Sequence, residues 1–554
     1  MEDFSPNHVL RQLHVKYGVS PYFKVSVEPN PFIPGANSIT ISPSGLGLPD
    51  RSYYYTRQDD PIQKAYKQLI RDVVVYLSVT RIEAEKFGED MFYYEKRIAE
   101  ITPHSYEMLN PVNTHNSIKL SELKITAASL PLQDILTALF PESNVTEETE
   151  VIVTSPSYLT KVSQITATTD RAIFNSYVIW TLVRKYLPYL SSQFTLTVDS
   201  FHSELLGVQH SIPRWEKCSR FVKQCMGLAV ESALESQNPI RNKTKTEITN
   251  IFQEVSKAVQ TRLKEYKISS ELKQYLQRKI SKLKLQIGLP DLIRKDYLKN
   301  YYSKLIILKT NLFESFKNSL SFKRKIEEQL LIAPHSQDKL VFHATYYSTQ
   351  VSYSAALNTV IVPRAMLTEF IYEDDYPSSI LYGRLGVQIA NAILSSVLPF
   401  DSAWNANSRL LSHYHSIVNE SHQSVDSTRS CLTNFVLAHE LGLSENSAEL
   451  TSLSVLKHSS SINIAHQALE NYLKDRSHMH QPSLEKLEDS ALFFLSYAQT
   501  ECSRNTKQQE LYDSLVNYQL PPKSQLEVAW HQIPEFQTSL ECSISKNERC
   551  SDIF

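Results

Sequence analysis

Residues Asp374–Phe400 read DDYPSSILYGRLGVQIANAILSSVLPF. The pattern predicts a helix over Ser379 to Leu398, ended by a break at Pro399. From Leu385 onward it is apolar enough for a core helix. Upstream, Leu340 to Val362 is rich in β-branched and aromatic residues and predicts strands. Downstream, helices are expected over Ser444 to Leu456, Ile462 to Asp475 and Ser483 to Tyr497, then an irregular tail from Leu520 with a proline pair and two cysteines. A former-site helix and a plain core helix are both compatible with these residues alone.

The composition favours helices throughout. Only 11 of 554 residues are glycine, roughly 2% against a usual value of about 7%. So few permissive positions argue against a turn-rich β protein and against glycine-rich phosphate loops. Lys and Arg total 57 against 59 acidic residues, a net charge of −2, which predicts no nucleic-acid partner. The longest apolar runs, such as Tyr177 to Val183, fall short of the roughly 18–20 residues that span a bilayer. The residues after Met1 are polar, so no signal peptide is expected, and taken literally the chain begins in the cytosol.

Towards the N-terminus, the first fifty residues predict short strands and turns, with alternation near Val25 and Val27. Gly45 to Tyr54 (GLGLPDRSYY) is a turn leading into helical spacing at Ile70, Val73, Val74 and Leu77, with Ile82 beyond the next turn. Helical character then runs from Leu120 to about Leu331, with a strand-like interruption at Glu150 to Thr154. Its clearest stripe is Ile248, Ile251, Phe252, Val255 and Val259. The lysine-rich stretch Leu272 to Gln286 predicts a solvated helix face. There is no internal repeat.

Several separated stretches carry a family resemblance. They are GLGLPDRSYY at Gly45, RWEKCSRFVKQCMGLA at Arg214, QIGLPDLI at Gln286, VIVPRAML at Val360, DYPSSILYGRLG at Asp375, SENSAE at Ser444, LFFLSYAQTEC at Leu492 and PEFQTSLEC at Pro534. In order and over nearly the whole chain, they resemble the neprilysin and endothelin-converting-enzyme family of zinc endopeptidases. The resemblance implies a mainly α fold with minor β (α+β), two-lobed, a helical lobe and a thermolysin-like lobe around a central cavity. The expected division is 1–333, a largely helical region, and 334–554, a degenerate peptidase-like region. It also implies that Cys431 pairs with Cys550, while Cys218, Cys502 and Cys542 lack their usual partners and Cys225 has no family role. The family's cytosolic tail and membrane anchor have no counterpart, so an extracellular or cell-surface location follows from resemblance only.

The family's chemistry needs two histidines one helical turn apart, a glutamate beside the first, and a third ligand from a later helix. The zinc lowers the pKa of its bound water to about 7 and polarises the scissile carbonyl. In register the histidines are Asn391 and Ser395, and the general base is Ala392. The resemblance leaves Glu445 as the one retained ligand and puts Glu449 in place of a second-shell aspartate. The substrate-anchoring segment corresponds to Gln350, Val351, Ser352 and Tyr353, and a stabilising histidine and arginine correspond to Gln519 and Gln525. Arg384, Ala390 and Ser444 replace family glycines.

Other histidine groupings, His439-Glu440, His413/His415 and His478/His480, lack metal-site spacing. The leading expectation is a pseudopeptidase without zinc that binds a peptide or protein, or acts as decoy or scaffold, with no membrane span and no nucleic acid. The alternatives are an active zinc endopeptidase cleaving small extracellular peptides, or an intracellular helical adaptor. Sequons at Asn144, Asn242 and Asn419 offer glycosylation sites in a secreted context.

Overall fold

The computed structural model describes residues 5–56, 60–293, 295–335, 343–344, 346–412, 415–438, 445–474, 476, 487–542 and 549–550. Within them the chain is mainly α with two small sheets. It forms two compact units interleaved along the sequence. One comprises Met1–Arg220, Lys299–Lys339 and Thr506–Tyr512; the other comprises Phe221–Leu298, Leu340–Asn505 and Asp513–Phe554.

In the first unit, β1 (Phe23–Pro29) and β2 (Asn37–Pro43) pair antiparallel. With β3 (Asn116–Lys119) and β4 (Glu150–Val153) they form a sheet of order β1-β2-β4-β3, in which β2 and β4 run parallel. The chain before β1 is not strand and turn as expected. It forms a helix, Pro6–Gln12, and a π-helical turn, Leu13–Tyr17. Pro6 sits in the first turn, where its missing N–H has no partner to lose, and Leu10 and Leu13 are buried.

Three helices frame the first unit's polar core: α1 (Pro61–Tyr76), α2 (Arg81–Ile101) and α3 (Arg171–Tyr186). Asp60 caps α1 by accepting from the Ile62 and Gln63 amides, and Thr80 with Glu83 closes a capping box on α2. Ile70, Val73 and Val74 are buried as their spacing predicts, but Leu77 and Ile82 are 49% and 83% exposed. Both lie where the chain leaves one helix for the next, so the core stripe ends before them.

Between these helices the Glu95 carboxylate is wholly buried and pairs with Arg184 at 2.9 Å. Tyr54 and Tyr66 donate their hydroxyls to it at 2.6 and 2.9 Å, and the Gly47 amide approaches at 3.2 Å. Arg184 also donates to the Gly45 carbonyl at 3.1 Å. The GLGLPDRSYY turn is therefore tied to one buried ion pair. A Cβ on Gly45, at φ +110°, would collide with the Pro21 carbonyl oxygen, and one on Gly47 with the Tyr66 hydroxyl.

In the second unit, α4 (Asn242–Glu265) buries Ile248, Ile251, Val255 and Val259 along the expected stripe. It is followed by α5 (Ser270–Ser281) and β5 (Lys284–Ile287). The prediction of a solvated lysine face on α5 fails at one position, because Lys279 is 0% exposed. Its ammonium donates to the Asp401 carbonyl and lies 5.5 Å from the centre of the Tyr353 ring. β6 (Ser352–Ser354) and β7 (Thr359–Val362) complete a sheet of order β5-β7-β6.

The helix that opened the sequence analysis is α6 (Val387–Val397). Ser378–Leu381 and the π-helical turn Tyr382–Gly386 lead into it without a break. The run Ser378–Val397 has 20 residues and a mean hydropathy of 1.2, long and apolar enough to cross a membrane, contrary to the shorter runs read from sequence. Yet 72% of its apolar window is buried in the protein. Val387, Ile389, Ala390, Ala392, Ile393, Leu394, Ser396 and Val397 are all buried, packed among α4, α5, β6 and β7. Two more helices enclose this core, α7 (Ser416–Ala438) and α8 (Glu445–Leu473). They are followed by α9 (Asp489–Thr500).

Two further expectations are corrected here. The helices expected at Ser444 to Leu456 and Ile462 to Asp475 are one 29-residue helix, α8. The His458-Ser-Ser-Ser461 stretch between them contains no glycine or proline to stop it. The tail expected to be irregular contains the helices Pro522–Gln532 and Pro534–Ser539, each with proline in its first turn. Cys431 on α7 and Cys550 form the disulfide that the resemblance implied; Cys218, Cys225, Cys502 and Cys542 are in none.

Breaking a buried pair by removing one partner leaves an uncompensated charge and costs about 3–5 kcal/mol. Arg184→Met is therefore expected to lower unfolding stability by an amount in that range, measured by urea denaturation. A surface control, Lys119→Met, which loses the exposed pair with Glu148, should change it little.

Candidate functional site

The exposed edge of α6 is narrow. Asn391 and Ser395, one turn apart, are part-buried where their neighbours are buried, and the Ser395 hydroxyl donates back to the Asn391 carbonyl at 3.0 Å. Such an i−4 bond occupies the hydroxyl hydrogen and leaves the oxygen free to accept. That oxygen accepts from Lys457 Nζ of α8 at 3.2 Å.

A cavity of about 530 Å³ lies over this edge. Gln350, Val351, Asn391, Gln519 and Gln525, five of the positions singled out from sequence, all line it. They come from the segment before β6, from α6, and from the residues around the helix Pro522–Gln532. Ala392 is 2% exposed and faces the core. Ser352 and Tyr353 are part of β6.

Glu449 is not among the residues that line the cavity. The side chain of Glu445 lies outside the described residues, as do Ser444, His413, His439, Glu440, His478 and His480. Glu449 is exposed. At 1.5 Å per residue, these two positions lie about 18 and 12 Å along the α8 axis from Lys457. The turn of α8 that reaches the cavity carries Ser454, Val455, Lys457 and His458 instead. The signal for it was present in sequence: Ser454, Lys457, His458 and Ser461 make a polar stripe at helical spacing. Dividing α8 into two helices hid that stripe.

The electrostatics around this turn are governed by burial. Burial lowers the Lys457 ammonium's pKa, and the Asp401 carboxylate opposes the change. It also brings Lys279 down to about 7, again with Asp401 opposing. Asp401 is itself pushed up by burial, with Lys279 and then Lys457 pulling it back. His458 shares its Nε2 with the Tyr497 hydroxyl at 2.6 Å and is lowered to about 4, first by burial and then by Lys457. Glu501, also in the cavity, is raised to about 7 by burial.

The described side chains at this edge do not fit a zinc ion. A catalytic zinc takes three protein ligands drawn from His, Cys, Asp and Glu, and among the described residues no three such side chains converge. The Ser395 oxygen already meets an ammonium, which would repel a dication across a few ångströms of poorly screened interior.

The fold as a whole is that of the metallopeptidase family the landmarks resemble. Models of peptidase family M13 match residues 1–290 and 351–549, and the chain belongs to that family. It is similar to human endothelin-converting enzyme 1, 22% identical over 96% of this chain and 69% of the relative. It is also similar to mouse endothelin-converting enzyme-like 1, 21% identical over 97% of this chain and 69% of the relative. The fold matches Mycobacterium tuberculosis zinc metalloprotease Zmp1 in an inhibitor complex, with a TM-score of 0.88 and 18% identity over 100% of this chain and 84% of that one. It also matches PepO of Lactobacillus rhamnosis, with a TM-score of 0.81 and 14% identity over 98% and 82% of the two chains.

The histidine in the cavity wall makes stability acid-sensitive. Below the usual His value of about 6.5 the unfolded chain takes up a proton that folded His458 refuses until about 4. Its contribution is therefore complete above pH 6.5 and lost as pH falls through that window, by about 2 kcal/mol at pH 5. His458→Gln should reduce the stability difference between pH 7 and pH 5 by about that amount, measured in urea at both values.

Proposed function

We propose that this chain is a catalytically inactive member of family M13, a pseudopeptidase whose cavity binds a peptide or a segment of a protein. The observation that carries the reading is the 3.2 Å hydrogen bond from Lys457 to Ser395, which sets a cation where the family chemistry requires a metal ligand. Ala392 supports it: a methyl group, 2% exposed, can neither take nor give the proton of an attacking water. The α8 turn facing α6 adds a serine, a lysine and a histidine bound to Tyr497, and no carboxylate. The cavity itself remains large enough for a few peptide residues, and its amide side chains match the donors and acceptors of a peptide backbone.

The same reading includes an oxidising, extracellular setting. The Cys431–Cys550 disulfide supports it. So does the exposure of all three sequon asparagines: Asn144 in a left-handed turn, Asn242 at the start of α4 and Asn419 on α7. An intracellular adaptor would need neither feature.

The protein purified without chelator is expected to carry far less than one zinc per chain by mass-spectrometric metal analysis. It should also leave quenched fluorogenic peptides uncut in added zinc. Stoichiometric zinc, or cleavage blocked by a phosphoramidate, would instead establish an active zinc endopeptidase.

A further inference from the structure

The ammonium at the cavity floor is only partly satisfied among the described residues. An ammonium has three N–H donors. Among the described residues, Lys457 gives one of them to Ser395 Oγ and makes no ion pair. Asp401 is the carboxylate that acts on both Lys457 and Lys279, and Glu501 and His458 share the cavity wall with Lys457. Lys279 is turned elsewhere, onto the Asp401 carbonyl under Tyr353. Lys457 alone of the two lines the cavity.

A lysine ammonium is compact and strongly hydrated, so holding it against apolar walls without an anion is costly. Its other neighbours do not cancel its charge. His458 is neutral near pH 7 and bound to Tyr497. Glu501 lies in the same cavity, and burial raises it to about 7, so it is partly protonated near pH 7.

We propose that the cavity binds a peptide by its carboxylate, with Lys457 Nζ as the anchoring cation and Ser395 Oγ holding that cation in place. This deepens, and rests on, the pseudopeptidase reading: a lysine takes over the task of attracting an anionic ligand group. A peptide carboxylate is favoured over an inorganic anion by the rest of the wall. Gln350, Gln388, Asn391 and Gln519 offer amides that both donate and accept, and Val351 and Val528 offer apolar contact. A small, highly charged anion would use neither.

The test uses the full chain and two probes, N-acetyl-leucyl-leucine and its C-terminal amide, by titration calorimetry near pH 7. The wild-type protein is expected to prefer the acid by about tenfold or more, the scale of one charge-assisted hydrogen bond. Lys457→Gln should abolish that preference while retaining the amide's affinity, and Lys457→Arg should keep part of it. In case Lys457→Gln does not fold, protection of the wild-type Lys457 amine from acetic anhydride gives a second readout. The acid should slow its acetylation and the amide should not.

Equal affinity for acid and amide overturns the proposal, as does a preference unchanged in Lys457→Gln, or no binding of either probe at millimolar concentration. Equal affinity leaves the pseudopeptidase reading standing, because the cavity would still bind peptide. Cleavage of peptides or stoichiometric zinc would sink that reading instead.

Discussion

A helix that is apolar on all but one narrow edge must be enclosed everywhere else, and the second unit is organised around that constraint. Eight of the eleven residues of α6 are buried, and full burial of each large apolar side chain is worth about 1.5–3 kcal/mol. Exposing any face would forfeit several such terms. So α4, α5, β6, β7 and α8 are drawn around it, and where the enclosure thins, at Asn391 and Ser395, the cavity begins. The opening is what remains when everything else about the helix has been buried.

The same enclosure explains the buried lysines. Packing α5 and α8 against α6 and the turn Asp401–Ala403 carries Lys279 and Lys457 inward with their helices. Each finds an oxygen: Lys279 a backbone carbonyl, Lys457 the Ser395 hydroxyl. Asp401 lies close enough to act on both. The first unit handles buried charge differently. There Glu95 and Arg184 meet directly, and two tyrosines and a glycine amide complete the shell. A satisfied pair of that kind specifies a turn, whereas among the described residues Lys457 at the cavity uses one of its three N–H donors.

Much of the fold was legible from local pattern. The α4 stripe, the β4 interruption and the apolar run of α6 follow from side-chain period alone, because burial of one face leaves a regular trace. Helix continuity was less legible. The polar His458-Ser-Ser-Ser461 stretch resembles a break, yet Ser459, Ser460 and Ser461 are buried in a helix that runs on to Leu473. Propensity costs of a few tenths of a kcal/mol per serine yield to the packing of 29 residues. The prolines at 522 and 534 misled in the opposite sense, since each begins a helix.

The sequence by itself determined that α6 carries Asn391, Ala392 and Ser395, the three positions that the family resemblance aligns with the zinc histidines and base. It also set the helical class and the family landmarks. Only the tertiary structure decided what faces those positions. Lys457 stands 62 residues from Ser395, and their contact depends on where two helices cross. A single chain carries no local trace of such a crossing. Glu449, in the stretch that looked like the continuation of the site, lies about one and a half turns of α8 before Ser454, which lines the cavity. Spacing along a chain measures distance along a helix, and packing alone selects which turn of it meets a partner.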